Sequence, residues 1–277
     1  MKRFYLILFT LLLTFVSLQS SGSVFGQPLV ARTTPMTAVA PAKAGLPSPL
    51  LLPMNTGSLR IAVFGDTGSG KEQQYDVGRM MTTYRSAYPF DTVIMVGDNI
   101  YGADKAVDMR QKFEEVYKPL INQGVTFRAT LGNHDSSNQR FYELFNMKGD
   151  EYYRFEKNGV AFYALNSNYM DKRQLDWLTS KLAADTAKWK IAFFHHPPYS
   201  SGGFHGSSKK IREALHPLFI RYGVSVVFTG HDHFYERIKP QDGIQYFVVG
   251  SGGQLRKGDI KKNSPLTARV SIPTWRS

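Results

Sequence analysis

Leu59-Arg60-Ile61-Ala62-Val63-Phe64-Gly65-Asp66 reads as a short apolar strand stopped by a glycine and a carboxylate, and four more apolar runs along the chain end in a cluster of Gly, Asp, Asn or His. Thr92-Val93-Ile94-Met95-Val96 runs into Gly97-Asp98, and Thr126-Phe127-Arg128-Ala129-Thr130-Leu131 runs into Gly132-Asn133-His134-Asp135. The stretch from Lys190 to Phe194 meets His195-His196, and Ser225-Val226-Val227-Phe228 leads to Gly230-His231-Asp232-His233. Between these strands the apolar spacing predicts helices near 72–87, 108–122, 171–184 and 208–222. Tyr152 to Phe155 and Val160 to Leu165 read as a hairpin turning at Asn158-Gly159, and Tyr235 to Ile238 and Ile244 to Val249 as further strands. Strands alternating with amphipathic helices predict an α/β fold, a mixed sheet with helices on its outer faces.

In parallel α/β sheets the loops beyond the carboxyl ends of the strands converge on one crevice. Five such loops here carry Asp, Asn and His side chains, and in four of them a glycine before the polar residue lets the backbone turn off the strand. The chain has seven histidines, and five of them (134, 195, 196, 231 and 233) sit directly at these strand ends. Each motif is weak by itself, since Gly-Asp after a strand is usually a turn or helix cap, and Asn133-His134-Asp135 reads equally as a capped turn. His231 and His233, two apart on a bent loop, lean toward a metal, while His196 reads as a pocket wall or a hydrogen-bonded loop residue. His205 lies in a Ser-Gly-rich loop, and His216, between Leu215 and Pro217, reads as structural.

Of 277 residues, 42% are hydrophobic and 20% charged, a globular composition that excludes disorder, collagen and coiled coil as classes. Without cysteine there is no disulfide framework, thiolate zinc site or cysteine nucleophile, so a metal would need His, Asp, Glu, Asn or Tyr. Lys2-Arg3, the apolar run from Phe4 to Val16 and the small residues up to Gly26 have the three parts of a secretory signal. That run is shorter than the ~20 residues of a spanning helix. The sequence therefore predicts a signal peptide over 1–26, export to a periplasm or the outside, and no stable membrane insertion after its removal. Six prolines between 27 and 57, with no acidic residue, predict an extended leader before a folded domain over 58–277. Setting aside the four cations of the first 57 residues leaves 30 basic against 22 acidic residues, an excess that suits anionic substrates or surfaces.

The five blocks, in order, resemble the metallophosphoesterases. With Tyr101 after Gly97-Asp98-Asn99-Ile100, the chain is most similar to the purple acid phosphatases of the small, tartrate-resistant type. The resemblance spans about residues 58–256, and the fourth block departs only in Ala192, where the family usually has valine. It implies a sandwich of mixed β-sheets flanked by helices, with a dinuclear metal site at the carboxyl ends of the strands. Carried over by motif, Asp66, Tyr101 and His233 would hold ferric iron. Asn133, His195 and His231 would hold a divalent ion (iron, zinc or manganese), with Asp98 bridging the two. His134 and His205 resemble the catalytic histidines that bind phosphoryl oxygens and protonate the leaving alkoxide. The implied activity is acid phosphatase, hydrolysis of small phosphate monoesters by a metal-bound hydroxide, with no nucleic acid as partner.

Three rival readings have their own signals. Gly65-Asp66-Thr67-Gly68-Ser69-Gly70-Lys71 fits the first seven positions of a phosphate-binding loop, but Glu72 stands where such a loop needs a Ser or Thr hydroxyl for magnesium. A manganese or iron phosphodiesterase or nucleotidase of the same superfamily would lack the demand for Tyr101. A non-catalytic exported module binding a polyanion would have no need of a complete ligand set. Gly250-Ser251-Gly252-Gly253 reads as a turn at the pocket edge, and the basic residues after 256 carry no readable role.

Overall fold

Ala161-Phe162-Tyr163-Ala164 explains the layering, because alternate side chains of a strand face opposite ways and here both faces are buried. In the computed structural model, which describes residues 4–8, 14–18 and 57–271, Phe162 enters one core cluster and Ala161 and Tyr163 the other. The neighbouring strands repeat this split: Ile191 and Phe193 against Ala192, and Val226 and Phe228 against Val227. The first cluster fills the space between two β-sheets and continues into the helices that cover the first sheet, and the second lies under helices α4 (Lys172–Ala184) and α5 (Lys209–Tyr222).

The first sheet has the order β1 (Phe4–Leu8), β2 (Thr14–Leu18), β3 (Ala62–Phe64), β4 (Thr92–Met95) and β5 (Thr126–Ala129), with β3, β4 and β5 parallel. The second runs β12 (Thr267–Ser271), β10 (Tyr235–Ile238), β11 (Gln245–Val249), β9 (Val226–Thr229), β8 (Trp189–Phe193), β7 (Val160–Ala164) and β6 (Tyr153–Lys157). Strands β7, β8, β9 and β11 are parallel; β6 pairs antiparallel with β7 at one edge, and β10 pairs antiparallel with both β11 and the edge strand β12. The α/β expectation therefore resolves into two stacked sheets with helices outside.

On the first sheet, α1 (Glu72–Ala87) buries Val77, Met81 and Tyr84. It approaches α3 (Glu115–Asn122) so closely that a Cβ on Gly78 would lie 2.7 Å from the Val116 carbonyl. A helix begins with α2 (Ala106–Met109) and passes into α3 through a π-helical turn, Arg110–Glu114. The hairpin between β6 and β7 turns at Asn158 (φ 50°) and Gly159 (φ 73°), the paired left-handed residues of a tight two-residue loop.

One expectation needs adjustment. The residues after 256, which had no readable pattern, include an edge strand, β12, paired with β10. The secretory-signal and leader readings fall largely outside the described residues. Of 1–56 the structure describes only the backbone of β1 and β2, which pair with each other and, through β2, with β3.

Candidate metal centre

The parallel strands of both sheets end at one seam, and their following loops supply every side chain proposed from the sequence. From β3 comes Asp66, from the loop after β4 come Asp98 and Tyr101, and from the loop after β5 come Asn133 and His134. From the second sheet, β8 is followed by His195 and His205, and β9 by His231 and His233.

The backbone is forced to put them there. Asp66 (φ 57°), Asp98 (φ 51°) and His231 (φ 72°) all take the left-handed conformation that non-glycine residues avoid. Such positions collect at functional sites, where surrounding structure overrides the local cost. The sequence reading gave the preceding glycines the task of turning the chain; of these, only Gly97 (φ 93°) has positive φ. Gly132 and Gly230 serve close approach instead: a Cβ on Gly132 would overlap the Asp98 carboxylate, and one on Gly230 the Asp66 carboxylate.

Two sets of donors result. Tyr101 Oη lies 3.4 Å from Asp66 Oδ1 and 3.3 Å from His233 Nε2, and the latter is 3.4 Å from Asp66 Oδ1. His195 Nε2 lies 3.0 Å from Asn133 Oδ1 and 3.1 Å from His231 Nδ1. Asp98 adjoins both sets: its Oδ1 is 3.4 Å from His195 Nε2, and Asp66, Asp98 and His233 offer ligand atoms all within 4.8 Å of one another. His134 places its ring 4.9 Å from that of Tyr101, and His205 its ring 4.0 Å from that of His231.

The donor chemistry fits a cation. Asp66 and Asp98 are 0% and 1% exposed, and among the described residues neither pairs with Lys or Arg. A buried carboxylate without compensation is costly. Burial pushes the Asp66 carboxyl up to about 7 against the pull of His233. Burial drives the His231 imidazole down to about 2, aided by neighbouring His195 and His196, and holds His195 well below its ordinary value. Both are therefore neutral, the ligating form. His195 Nδ1 donates to the Val96 carbonyl (3.0 Å), which leaves a lone pair on Nε2 facing the oxygens of Asn133 and Asp98. Acceptors that converge in this way repel unless a cation lies among them. Burial, then Asp66 and Asp98, hold the Tyr101 phenol far above its usual range, so only a strong Lewis acid would ionise it.

Several supporting residues escaped the sequence reading. Asp135, seen only as part of a capped turn, is a knot between loops. Its carboxylate accepts the backbone N–H groups of Asn99 (2.8 Å), Ile100 (3.0 Å) and Gly132 (2.8 Å) and the Asn99 side-chain amide (2.9 Å). Asp232, between the two histidines, binds the Ser200 hydroxyl and the Gly206 N–H and so anchors the loop that carries His205. Lys112, in the π-helical turn, donates to the Tyr101 carbonyl at 2.7 Å. Arg256 lays its guanidinium 4.0 Å over Phe204, next to His205. Asp135 and Asp232 stood inside quoted motifs; Lys112 and Arg256 had no signal in the sequence.

Other residues lie as read. His196 bonds Ser167 Oγ through Nδ1 (2.9 Å) at the pocket edge, and His216 bridges Tyr246 and Asp242 away from the cluster. The loop 250–253 packs on the Gly65–Thr67 backbone, where Gly252 N–H donates to the Gly65 carbonyl at 2.9 Å. The phosphate-loop reading fails in space: Gly68 is pressed against the backbone of Asn99 and Ile100, leaving no room for a ligand there, and Lys71 is exposed.

Two stacked mixed sheets, outer helices and a carboxylate–imidazole cluster at the carboxyl ends of parallel strands define a metallophosphoesterase-type sandwich. A family model described as calcineurin-like phosphoesterase matches residues 59–235, and the chain belongs to that family of phosphoesterase enzymes. Purple acid phosphatase 17 of Arabidopsis thaliana is 26% identical over 254 residues, covering 78% of this chain and 74% of that protein. Tartrate-resistant acid phosphatase type 5 of Mus musculus is 25% identical over 240 residues, covering 71% and 73%. Among solved structures, GAP50, described as the anchor in the inner membrane complex of Plasmodium, matches with a TM-score of 0.65 at 21% identity, over 77% of this chain and 78% of that one. Purple acid phosphatase PPD1 from yellow lupin seeds matches with a TM-score of 0.63 at 18% identity, over 78% and 50%. These structural likenesses speak to the fold alone.

Proposed function

We propose that the chain is an exported acid phosphatase that hydrolyses phosphate monoesters at a dinuclear centre of ferric iron and a divalent ion. The observation that carries this reading is Tyr101, whose phenol oxygen stands among Asp66 and His233. A phenol and a carboxylate suit hard ferric iron, whereas Asn133, His195 and His231 form an imidazole-rich, neutral set suited to a borderline divalent ion. Asp98, in reach of both sets, would serve both ions. When bound, the metal pair supplies Lewis-acid charge to the phosphoryl oxygens and an activated water.

The protein's own groups do the rest. The His195 hydrogen bond to Val96 and the Asp135 knot fix the two halves of the cleft before substrate arrives. His134 and His205 border the cluster from different loops, where they hold the phosphoryl oxygens and deliver a proton to the leaving oxygen; such acid help is worth ~10²–10⁴ in rate. The net positive charge of the chain draws phosphate dianions toward the cleft. Export rests on residues 1–26 alone; among the described residues no helix is long and apolar enough to cross a membrane.

Steady-state hydrolysis of phosphate monoesters between pH 4 and 8, with metal content measured on the same preparation, tests the proposal. Turnover that disappears together with bound metal in Asp98→Asn is the expected result. Turnover that survives in that variant, or that is confined to diesters, contradicts it.

A further inference from the structure

A cavity of about 380 Å³ opens beside the metal centre, with Leu131 and Asp135 in its wall beside Asn133, Ser137, Asn166, Asn168, Tyr169 and His196. Two of these belong to the centre or its edge: Asn133 lies 3.0 Å from His195, and the His196 ring is 4.5 Å from that of His231. An ester whose phosphate sits at the cluster can therefore send its alcohol portion into this cavity. Much of the lining is amide and hydroxyl, suited to the hydroxyls of a sugar. Asn168 spends its Nδ2 on the Gly132 carbonyl at 2.9 Å, and its buried Oδ1 has no partner among the described residues, an unpaired acceptor just inside the wall.

Tyr169 supplies a different chemistry. It is 72% exposed, the most exposed large apolar side chain among the described residues. Its backbone is nevertheless pinned: the Tyr169 carbonyl accepts the Asp171 N–H (3.0 Å) and the side-chain amide of buried Gln174 (3.1 Å). An aromatic ring held out to solvent on an anchored backbone at a pocket mouth is a stacking platform for a planar ring.

We infer that this cavity is a leaving-group subsite for nucleoside monophosphates, with the ribose against Asn168 and Ser137 and the base stacked on Tyr169. The inference rests on the phosphomonoesterase reading and adds the substrate class. A simple alkyl phosphate such as glycerol 2-phosphate would reach the metal centre without touching Tyr169.

The test compares kcat/KM of the metal-loaded protein for adenosine 5′-monophosphate and glycerol 2-phosphate in wild type, Tyr169→Ala and Tyr169→Phe. Loss of the stacking ring should lower the nucleotide-to-glycerol selectivity about tenfold, and Tyr169→Phe should retain it. An unchanged selectivity in Tyr169→Ala, or an equal loss in both variants, overturns the subsite. If wild type turns over neither ester, the phosphatase reading fails by itself. Calorimetric binding of the nucleotide then decides the subsite: binding that weakens in Tyr169→Ala upholds it, and binding that is absent or indifferent to that change refutes it.

Discussion

The carboxyl ends of β3, β4 and β5 carry Asp66, Asp98, Tyr101 and Asn133, all oxygen donors, whereas those of β8 and β9 carry His195, His231 and His233, all nitrogen donors. Neither sheet holds a complete set. Each proposed metal position draws on both: Asp66 and Tyr101 with His233, and Asn133 with His195 and His231. The site is thus a property of the interface between the sheets, and the apolar cluster that joins them positions the chemistry as directly as the loops do.

The largest effect expected is from Asp98→Asn, which removes the one carboxylate in reach of both donor sets. Activity should fall below detection and metal stoichiometry should drop while the fold persists by circular dichroism. Next comes the seam. Phe193 is fully buried and lies between the sheets, so Phe193→Ala should cost about 3–5 kcal/mol in chemical denaturation. The nitrogen and oxygen donors should then lose their register, weakening metal retention without any ligand having been touched. A variant destabilised to that extent yet binding metal with unchanged affinity would show that the halves are set independently.

A smaller change tests the oxygen side alone. In Asp135→Asn an amide N–H₂ must face backbone N–H groups, so stability should drop by roughly 1–3 kcal/mol, with activity reduced more than expression. The smallest effect lies remote from the cleft. Burial works against the Asp185 carboxylate, but hydrogen bonds from Arg154 and Tyr163 outweigh it and bring it down to about 2. Because the folded value lies below the unfolded ~3.9, its contribution is complete above that value and is lost as pH falls toward 2. The stability gap between wild type and Asp185→Asn should be constant from pH 5 to 7 and shrink below pH 4; a gap unchanged at pH 2 would remove the ion pair from the account.

What could be read in the sequence was whatever chain neighbours encode. Asn158-Gly159 announced its hairpin because a two-residue turn needs left-handed residues there. The strand ends announced the cluster because apolar runs stop abruptly at Gly, Asp and His. The division into two sheets was implied by the family resemblance and not by the residue pattern itself, since Ala161 and Phe162 are both apolar and only packing shows that they enter different cores. Strand β12 escaped because an edge strand with three charged or hydroxyl side chains in five residues has no apolar signature. Asp135 and Asp232 act by accepting N–H or O–H groups from other loops, which no residue-type pattern displays. The glycines before the site residues were legible but their role was not, because the left-handed turns fall largely on Asp66, Asp98 and His231 themselves.

The central claim is that Tyr101 is a ligand to ferric iron, and the visible absorption spectrum of the protein as purified, with metal analysis on the same sample, tests it most directly. A purple or pink phenolate-to-iron band with iron present, lost in Tyr101→Phe, is the expected result. A colourless protein carrying two manganese or zinc ions per chain, with the same metal content in Tyr101→Phe, would contradict it.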